Sequence, residues 1–252
     1  MNPVLVKRNF EEKDIRRVKL GLTDIDGVLR GKYISVDKFW SAVDSGLGFC
    51  DVVFGWDAAD ALYDNVQFTG WHTGYPDAAC TIDMTTFRLI PWEPGSALFL
   101  LDVVNRAGEP LAVSPRQLLK RVIGKAGEMG YTPFFSAEYE FFLFRETPHS
   151  LREKGFRNLT TASPGMFGYS VVRAGQNAAW VTETLDQLSA FQTPLEGFHT
   201  ETGPGVYEAA IAVAEGVVGA DRAVLFKTAV KEISARHGLL PTFMARWSSE
   251  LP

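Results

Sequence analysis

Cysteine is scarce in this chain. Only Cys50 and Cys80 occur in 252 residues. Two thiols cannot build a disulfide framework, and free buried thiols in a reducing compartment are the expectation. Long apolar runs are missing as well. Residues 1–17 are mixed and charged, so neither a signal peptide nor a membrane span is expected there. A soluble cytoplasmic protein is the default. Positive charge is not in excess: the formal net charge is −5 and the pI about 5.5, which offers no basic face to nucleic acid. Glycine-rich phosphate fingerprints are absent, with neither G-x-G-x-x-G nor G-x-x-x-x-G-K-[ST] present. Histidine is sparse too. His72, His149, His199 and His237 lack ligand spacing and are read as surface or structural groups. His199 stands two residues before Glu201, where it could line a pocket as a hydrogen-bonding partner.

What is present is a real core, since 46% of residues are hydrophobic. Val18, Leu20 and Leu22 alternate with Lys19, Gly21 and Thr23, the period of a strand. Asp26-Gly27 suits a tight turn, because glycine accepts positive φ, and a returning strand over 28–34 is predicted. Ser35 or Asp37 can cap a short helix that ends near Gly46. Residues 47–95 carry no helical period and read as loops and short strands. An apolar run over 97–104 reads as a strand. Ser114-Pro115 then starts a helix over 115–129, with Leu118, Leu119, Val122, Ile123 and Ala126 on one face and Gly130 beyond its end. A domain boundary is placed near residue 111, giving domains of 14–110 and 111–252. The second alternates strands at 133–144, 195–201, 206–213 and 240–246 with helices at 178–190 and 220–237. Residues 145–177 form a long connection of the kind that often carries function.

The most informative residues are carboxylates. In the segment Phe134 to Phe144, Glu138 and Glu140 are two apart, so a strand points both to one face. Two like charges among aromatics repel and resist burial. They are either a solvated strand face or part of a site for a hard divalent cation with oxygen ligands. Glu201 and Glu208 stand either side of Gly203-Pro204-Gly205, a turn able to fold one carboxylate toward the other. That pair alone reads equally as an ordinary hairpin with exposed acids. Taken together, the two pairs favour a metal site for Mg2+ or Mn2+. The aromatic stretch Phe141 to Phe144 is read as core. Lys227 and Lys231 are read as a solvated helix face.

At these residues the chain resembles the glutamine synthetase family. Glu138-Tyr139-Glu140-Phe141-Phe142 matches its E-x-E-F-F strand. Glu201 through Glu208 matches its glutamate, turn and second glutamate, with Val206 where glutamine is usual. Leu240-Pro241-Thr242-Phe243-Met244-Ala245-Arg246-Trp247 matches its A-T-F-M-x-K-P segment, with Arg246 for lysine and Trp247 for proline. Thr23 to Lys32, the Asp77 and Ile90-Pro91-Trp92 stretch, and Ser114-Pro115-Arg116 fit its earlier parts.

The resemblance implies an α+β chain: a small β-grasp-like N-terminal domain, then the front part of a catalytic α/β domain. It implies one metal held by Glu140, Glu201 and Glu208. A second would be held by Glu138 with a histidine and a glutamate from motifs that would follow Pro252. The implied activity is ligation of ammonia or an amine to the γ-carboxylate of glutamate, using ATP and Mg2+ or Mn2+, through γ-glutamyl phosphate. Val206 and Ala209-Ala210 lie closer to branches that use polyamines or other amines. Asp57, in Phe54-Gly55-Trp56-Asp57, is either matched to an aspartate that receives the amine across a subunit boundary or a plain loop aspartate. Homo-oligomeric rings are implied as well. The 252 residues alone are expected to lack synthetase activity. A non-enzymatic assembly protein, or a metal- and nucleotide-binding one, is the alternative.

Overall fold

The computed structural model describes residues 2–105 and 107–251. They form two compact units that divide after Pro133. The first holds helix α1 (Pro3–Glu12), strands β1 (Arg17–Thr23) and β2 (Leu29–Ser35), helix α2 (Val36–Ser45) and strand β3 (Leu47–Cys50). A short 3-10 turn (Asp51–Phe54), strands β4 (Asp77–Leu89) and β5 (Ser96–Val104) and helix α3 (Pro115–Glu128) complete it. Its sheet has the order β2-β1-β5-β4-β3, with β1 and β5 parallel and the other neighbours antiparallel. The sheet is therefore mixed and the unit is α/β in composition.

Sequence period explains most of this unit. Val18, Leu20 and Leu22 point to one face and are buried with Phe99, Leu101 and Val103 of β5. Phe10 of α1 and Phe39 of α2 close over that face, with ring centroids 5.3 Å apart, and Phe39 lies 4.7 Å from Phe99. Each such phenylalanine contributes roughly 1.5–3 kcal/mol by leaving water. Ser35 caps α2 by accepting from the Lys38 N–H, and Gly46, at φ 72°, ends it. In the β1–β2 turn, buried Asp24 accepts from the N–H groups of Asp26 (3.0 Å) and Val28 (2.8 Å), while Gly27 takes φ 75°.

Three features depart from the sequence expectations. Helix α1 was not foreseen. It turns only Val6 and Phe10 inward, one helical turn apart, too sparse a stripe to stand out. Region 47–95 contains a strand of 13 residues, β4. A bulge between Asp83 and Arg88 shifts its register, so alternation breaks mid-strand. The Thr86 hydroxyl fills the interrupted ladder, donating to the Asp83 carbonyl (2.7 Å) and accepting from Leu100 N–H (2.8 Å). Helix α3, which packs within the first unit, buries a side other than its apolar face. Its buried side is Arg116 and Gln117, whereas Leu118 and Val122 are 46% and 52% exposed. Arg116 and Lys120 tie it to Asp83 of β4 and Asp102 of β5.

The second unit holds strands β6 (Phe134–Phe135) and β7 (Glu138–Phe144), then helices α4 (Pro148–Glu153), α5 (Val171–Gln176) and α6 (Ala178–Ala190). Strands β8 (Leu195–Thr200), β9 (Val206–Ile211) and β10 (Ala214–Glu215), helix α7 (Gly216–Arg236) and strand β11 (Leu240–Thr242) follow. Its main sheet is antiparallel, in the order β11-β7-β9-β8. One face packs on α6 and α7 through Phe141, Trp180, Tyr207 and Phe226, all buried. Two polar pairs lie inside that core: Trp180 Nε1 donates to Ser234 Oγ (2.9 Å), and Asn177 Nδ2 donates to the Tyr207 hydroxyl (3.0 Å). The long connection over 145–177 carries α4 and α5, two short helices that lack an apolar stripe. Among the described residues, no helix is long and apolar enough to cross a membrane.

Candidate metal centre

Strand parity builds the site. On β7, Tyr139 and Phe141 turn toward α7. Glu138, Glu140, Phe142 and Phe144 therefore share the opposite face. That face is apolar at one end, where Phe142, Phe144 and Val206 pack with Leu159 and Trp247. It is acidic at the other. Cross-strand register places Glu140 opposite Glu208, and Glu208 opposite His199, in one row over β7, β9 and β8. Glu201 follows the end of β8, and its backbone N–H donates to the Val206 carbonyl at 3.1 Å.

The turn between the two strands depends on Gly205. It has φ 72°, and an added Cβ would lie 2.6 Å from the Leu143 carbonyl oxygen. The Leu143 N–H also donates to the Gly205 carbonyl at 2.8 Å, pinning the turn against β7. The expected folding back of Glu201 toward Glu208 is present. One donor atom each from His199, Glu201 and Glu208 lie within 4.8 Å of one another, and all three residues are half-buried. The Glu201 carboxylate accepts from Thr202 N–H at 2.8 Å, which orients it.

Electrostatics match a site short of positive charge. The carboxyl of Glu208 is raised above its ordinary range. Burial is the largest cause, and Glu140, Glu138 and Glu201 add to it, while His199 opposes them. Among the described residues, the basic side chain within 4.0 Å of the Glu201 and Glu208 carboxylates is His199, at 3.6 Å and 3.9 Å, and it pairs ionically only when its ring is protonated. Oxygen donors converging around an unmet negative charge fit a hard divalent cation.

Of the two sequence readings of His199, a surface or structural group and a partner lining the pocket, the structure bears out the second. Its place beside Glu208 comes from strand pairing, with a β8–β9 bulge between Leu195 and Gly197, and no sequence spacing encodes that. Its position two residues before Glu201 was the one usable signal. Asp57 belongs to the first unit. Its Oδ1 accepts from Ala59 N–H (2.8 Å) and Ala61 N–H (2.9 Å), and Arg30 donates to its carbonyl at 3.0 Å. The family departures also have structural roles. Val206 is buried in the apolar cluster, and Trp247 sets its ring against Phe144 at 5.0 Å. Arg246 donates to the carbonyls of Ser248, Ser249 and Leu251.

Comparison with known proteins shows the family of the chain. The family model described as "Glutamine synthetase, catalytic domain" matches residues 112–251. The chain belongs to the glutamine synthetase family. It is 50% identical over 235 residues to a protein named type-1 glutamine synthetase 2 from Dictyostelium discoideum, covering 93% of this chain and 45% of that one. It is 37% identical over 249 residues to a glutamate–isopropylamine ligase from a Pseudomonas species, covering 98% and 54%. In fold it is similar to a solved GmaS–ADP complex, with a TM-score of 0.78 at 23% identity, covering 97% of this chain and 52% of the other. The chain thus spans about half the length of the curated relatives it matches.

Proposed function

We propose that this chain forms half of an ATP-dependent ligase that joins ammonia or an amine to the γ-carboxylate of glutamate through γ-glutamyl phosphate. The row of Glu140 and Glu208, with Glu201 folded beside it and the Glu208 carboxyl raised, carries the reading. Glu140, Glu201 and Glu208 hold one Mg2+ or Mn2+. Glu138, further along the same face, contributes to a second. Bound cations supply charge neutralisation for phosphate oxygens during phosphoryl transfer. The residues of this chain contribute position: β7 and β9 hold two carboxylates side by side, and the Gly205 turn presents the third.

An organic amine is the favoured acceptor. Relatives named glutamate–isopropylamine ligase and γ-glutamylethanolamide synthetase support it. So does Val206, which puts an apolar side chain where the family pattern has glutamine. Asp57 receives the amine from a neighbouring copy in a ring, its side chain oriented by the Ala59 and Ala61 N–H groups. The mixed sheet of the first unit, with β1 and β5 parallel, is consistent with a β-grasp-like domain. The active protein is a soluble, cytoplasmic homo-oligomer.

Calorimetric titration of the chain with Mn2+ tests the core of this reading. Glu140→Gln and Glu208→Gln are each expected to weaken binding by about tenfold or more. Equal affinity in both variants and the parent would refute it. The 252 residues alone are expected to form no γ-glutamyl hydroxamate with ATP, glutamate and hydroxylamine. Turnover in that assay would show the half-length chain to be sufficient.

A further inference from the structure

The carboxylate reading leaves one donor aside, a nitrogen. His199 Nε2 lies 3.9 Å from Glu208 Oε2, and Nδ1 lies 3.6 Å from Glu201 Oε1. The ring stacks on Tyr169, with centroids 4.2 Å apart and planes 18° from parallel. Stacking fixes the ring plane while leaving both nitrogens available. With the proton on Nδ1, that N–H faces the Thr200 carbonyl at 3.3 Å, and the Nε2 lone pair is left on the Glu208 side.

Thr200 also steadies the stacking partner. Its carbonyl accepts from Tyr169 N–H at 2.6 Å, its hydroxyl donates to the Phe167 carbonyl at 2.9 Å, and Ser170 N–H donates to that hydroxyl at 2.9 Å. One residue therefore anchors both the ring and the tyrosine it rests on. This is how histidine ligands are usually prepared, with the second ring nitrogen held by a backbone carbonyl. Donor atoms of His199, Glu201 and Glu208 within 4.8 Å of one another can meet about 2–2.5 Å from a single ion after small side-chain movements.

We infer that His199 is a ligand of the cation held by Glu201 and Glu208, and that the site binds Co2+ and Mn2+ more tightly than Mg2+. The inference rests on reading those glutamates as a cation site. Imidazole nitrogen suits transition-metal ions, whereas Mg2+ favours oxygen donors and near-ideal octahedral geometry. A nitrogen ligand therefore strengthens Co2+ binding far more than Mg2+ binding. The selectivity resides in one ring, separately from the carboxylates that supply the charge.

The test is calorimetric titration of the 252-residue chain, its His199→Asn variant and its Glu208→Gln variant with Mg2+, Mn2+ and Co2+, alongside pulsed electron paramagnetic resonance of the Mn2+-loaded protein. His199→Asn is expected to weaken Co2+ binding about tenfold or more and to change Mg2+ binding by less than about twofold. The Mn2+ signal of the parent is expected to carry imidazole nitrogen modulation that His199→Asn removes. If Co2+ affinity and the resonance spectrum survive His199→Asn while Glu208→Gln abolishes binding, the nitrogen ligand is wrong and the carboxylate site stands. If none of the three ions binds the parent chain, the carboxylate reading fails, and the inference with it.

Discussion

In the first unit, Asp83 and Asp102 both lie 2.5–3.1 Å from Arg116 and Lys120, and buried Asp24 lies 2.7 Å from Arg30. In the second unit, Glu138, Glu140, Glu201 and Glu208 share one sheet end where, among the described residues, the basic side chain beside Glu201 and Glu208 is His199, an ion-pair partner only when its ring is protonated. The first set holds strands and helix α3 together. The second set repels itself and stays in place because the sheet and the Gly205 turn hold it. A structural acid has its partner built into the fold, and the proposed ligand-binding acids do not. Glu146 sharpens the contrast within the second unit. It accepts from Lys154, Ser150 and the Thr160 N–H, which hold its carboxyl down at about 2, so it behaves like the acids of the first unit.

The largest expected effect breaks the first pattern. Arg116→Met leaves Asp83 and Asp102 with Lys120 and should cost about 3–5 kcal/mol of stability in urea unfolding. A loss below about 1 kcal/mol would place that network on the solvated surface in energetic terms.

The acid limb of the stability curve comes next. Burial alone would raise the Asp83 carboxyl, but hydrogen bonds from Thr85, Arg116 and Lys120 together hold it well below the usual carboxylate range. A depressed folded-state value means stability that is present above the unfolded value of about 3.9 and is lost as pH falls toward the folded one. Asp83→Asn should therefore flatten the loss of stability below about pH 4 in acid titrations followed by circular dichroism.

Glu208 has the opposite sign. Its raised carboxyl costs stability at neutral pH, and the cost is relieved as pH falls through the folded-state value toward the unfolded one. Glu208→Gln should leave urea stability unchanged or slightly higher, within about 1 kcal/mol, while weakening metal binding. A large loss of stability would make Glu208 a structural acid after all. The smallest effect belongs to Lys154→Met. It should move the Glu146 carboxyl from about 2 back toward its ordinary value in an NMR titration, without altering cation binding.

Much of this contrast was legible in the sequence. The two-residue spacing of Glu138 and Glu140 fixed a common face, and Gly203-Pro204-Gly205 announced the turn between Glu201 and Glu208. The β1–β2 hairpin and the Ser35 and Gly46 caps of α2 were equally plain, because each depends on neighbours in the chain. What was hidden or only hinted at depends on distant partners. His199 joins the carboxylates only through the pairing of β8 with β9, and the bulge in β4 hides its strand period. The apolar face of α3 reads as core, yet Arg116 sets which side turns inward, by reaching Asp83 and Asp102.

Strand β7 has a further consequence, because its outward face changes character between Glu140 and Phe142. A cation at Glu140 and Glu208 would sit at a shoreline, with water on one side and the Phe142, Phe144, Val206 and Trp247 cluster on the other. Field lines running through that dry bank are screened less than those running through solvent, so each carboxylate pulls harder than it would on a fully wetted sheet. If Glu140 and Glu208 held a cation, this apolar border would strengthen their hold on it.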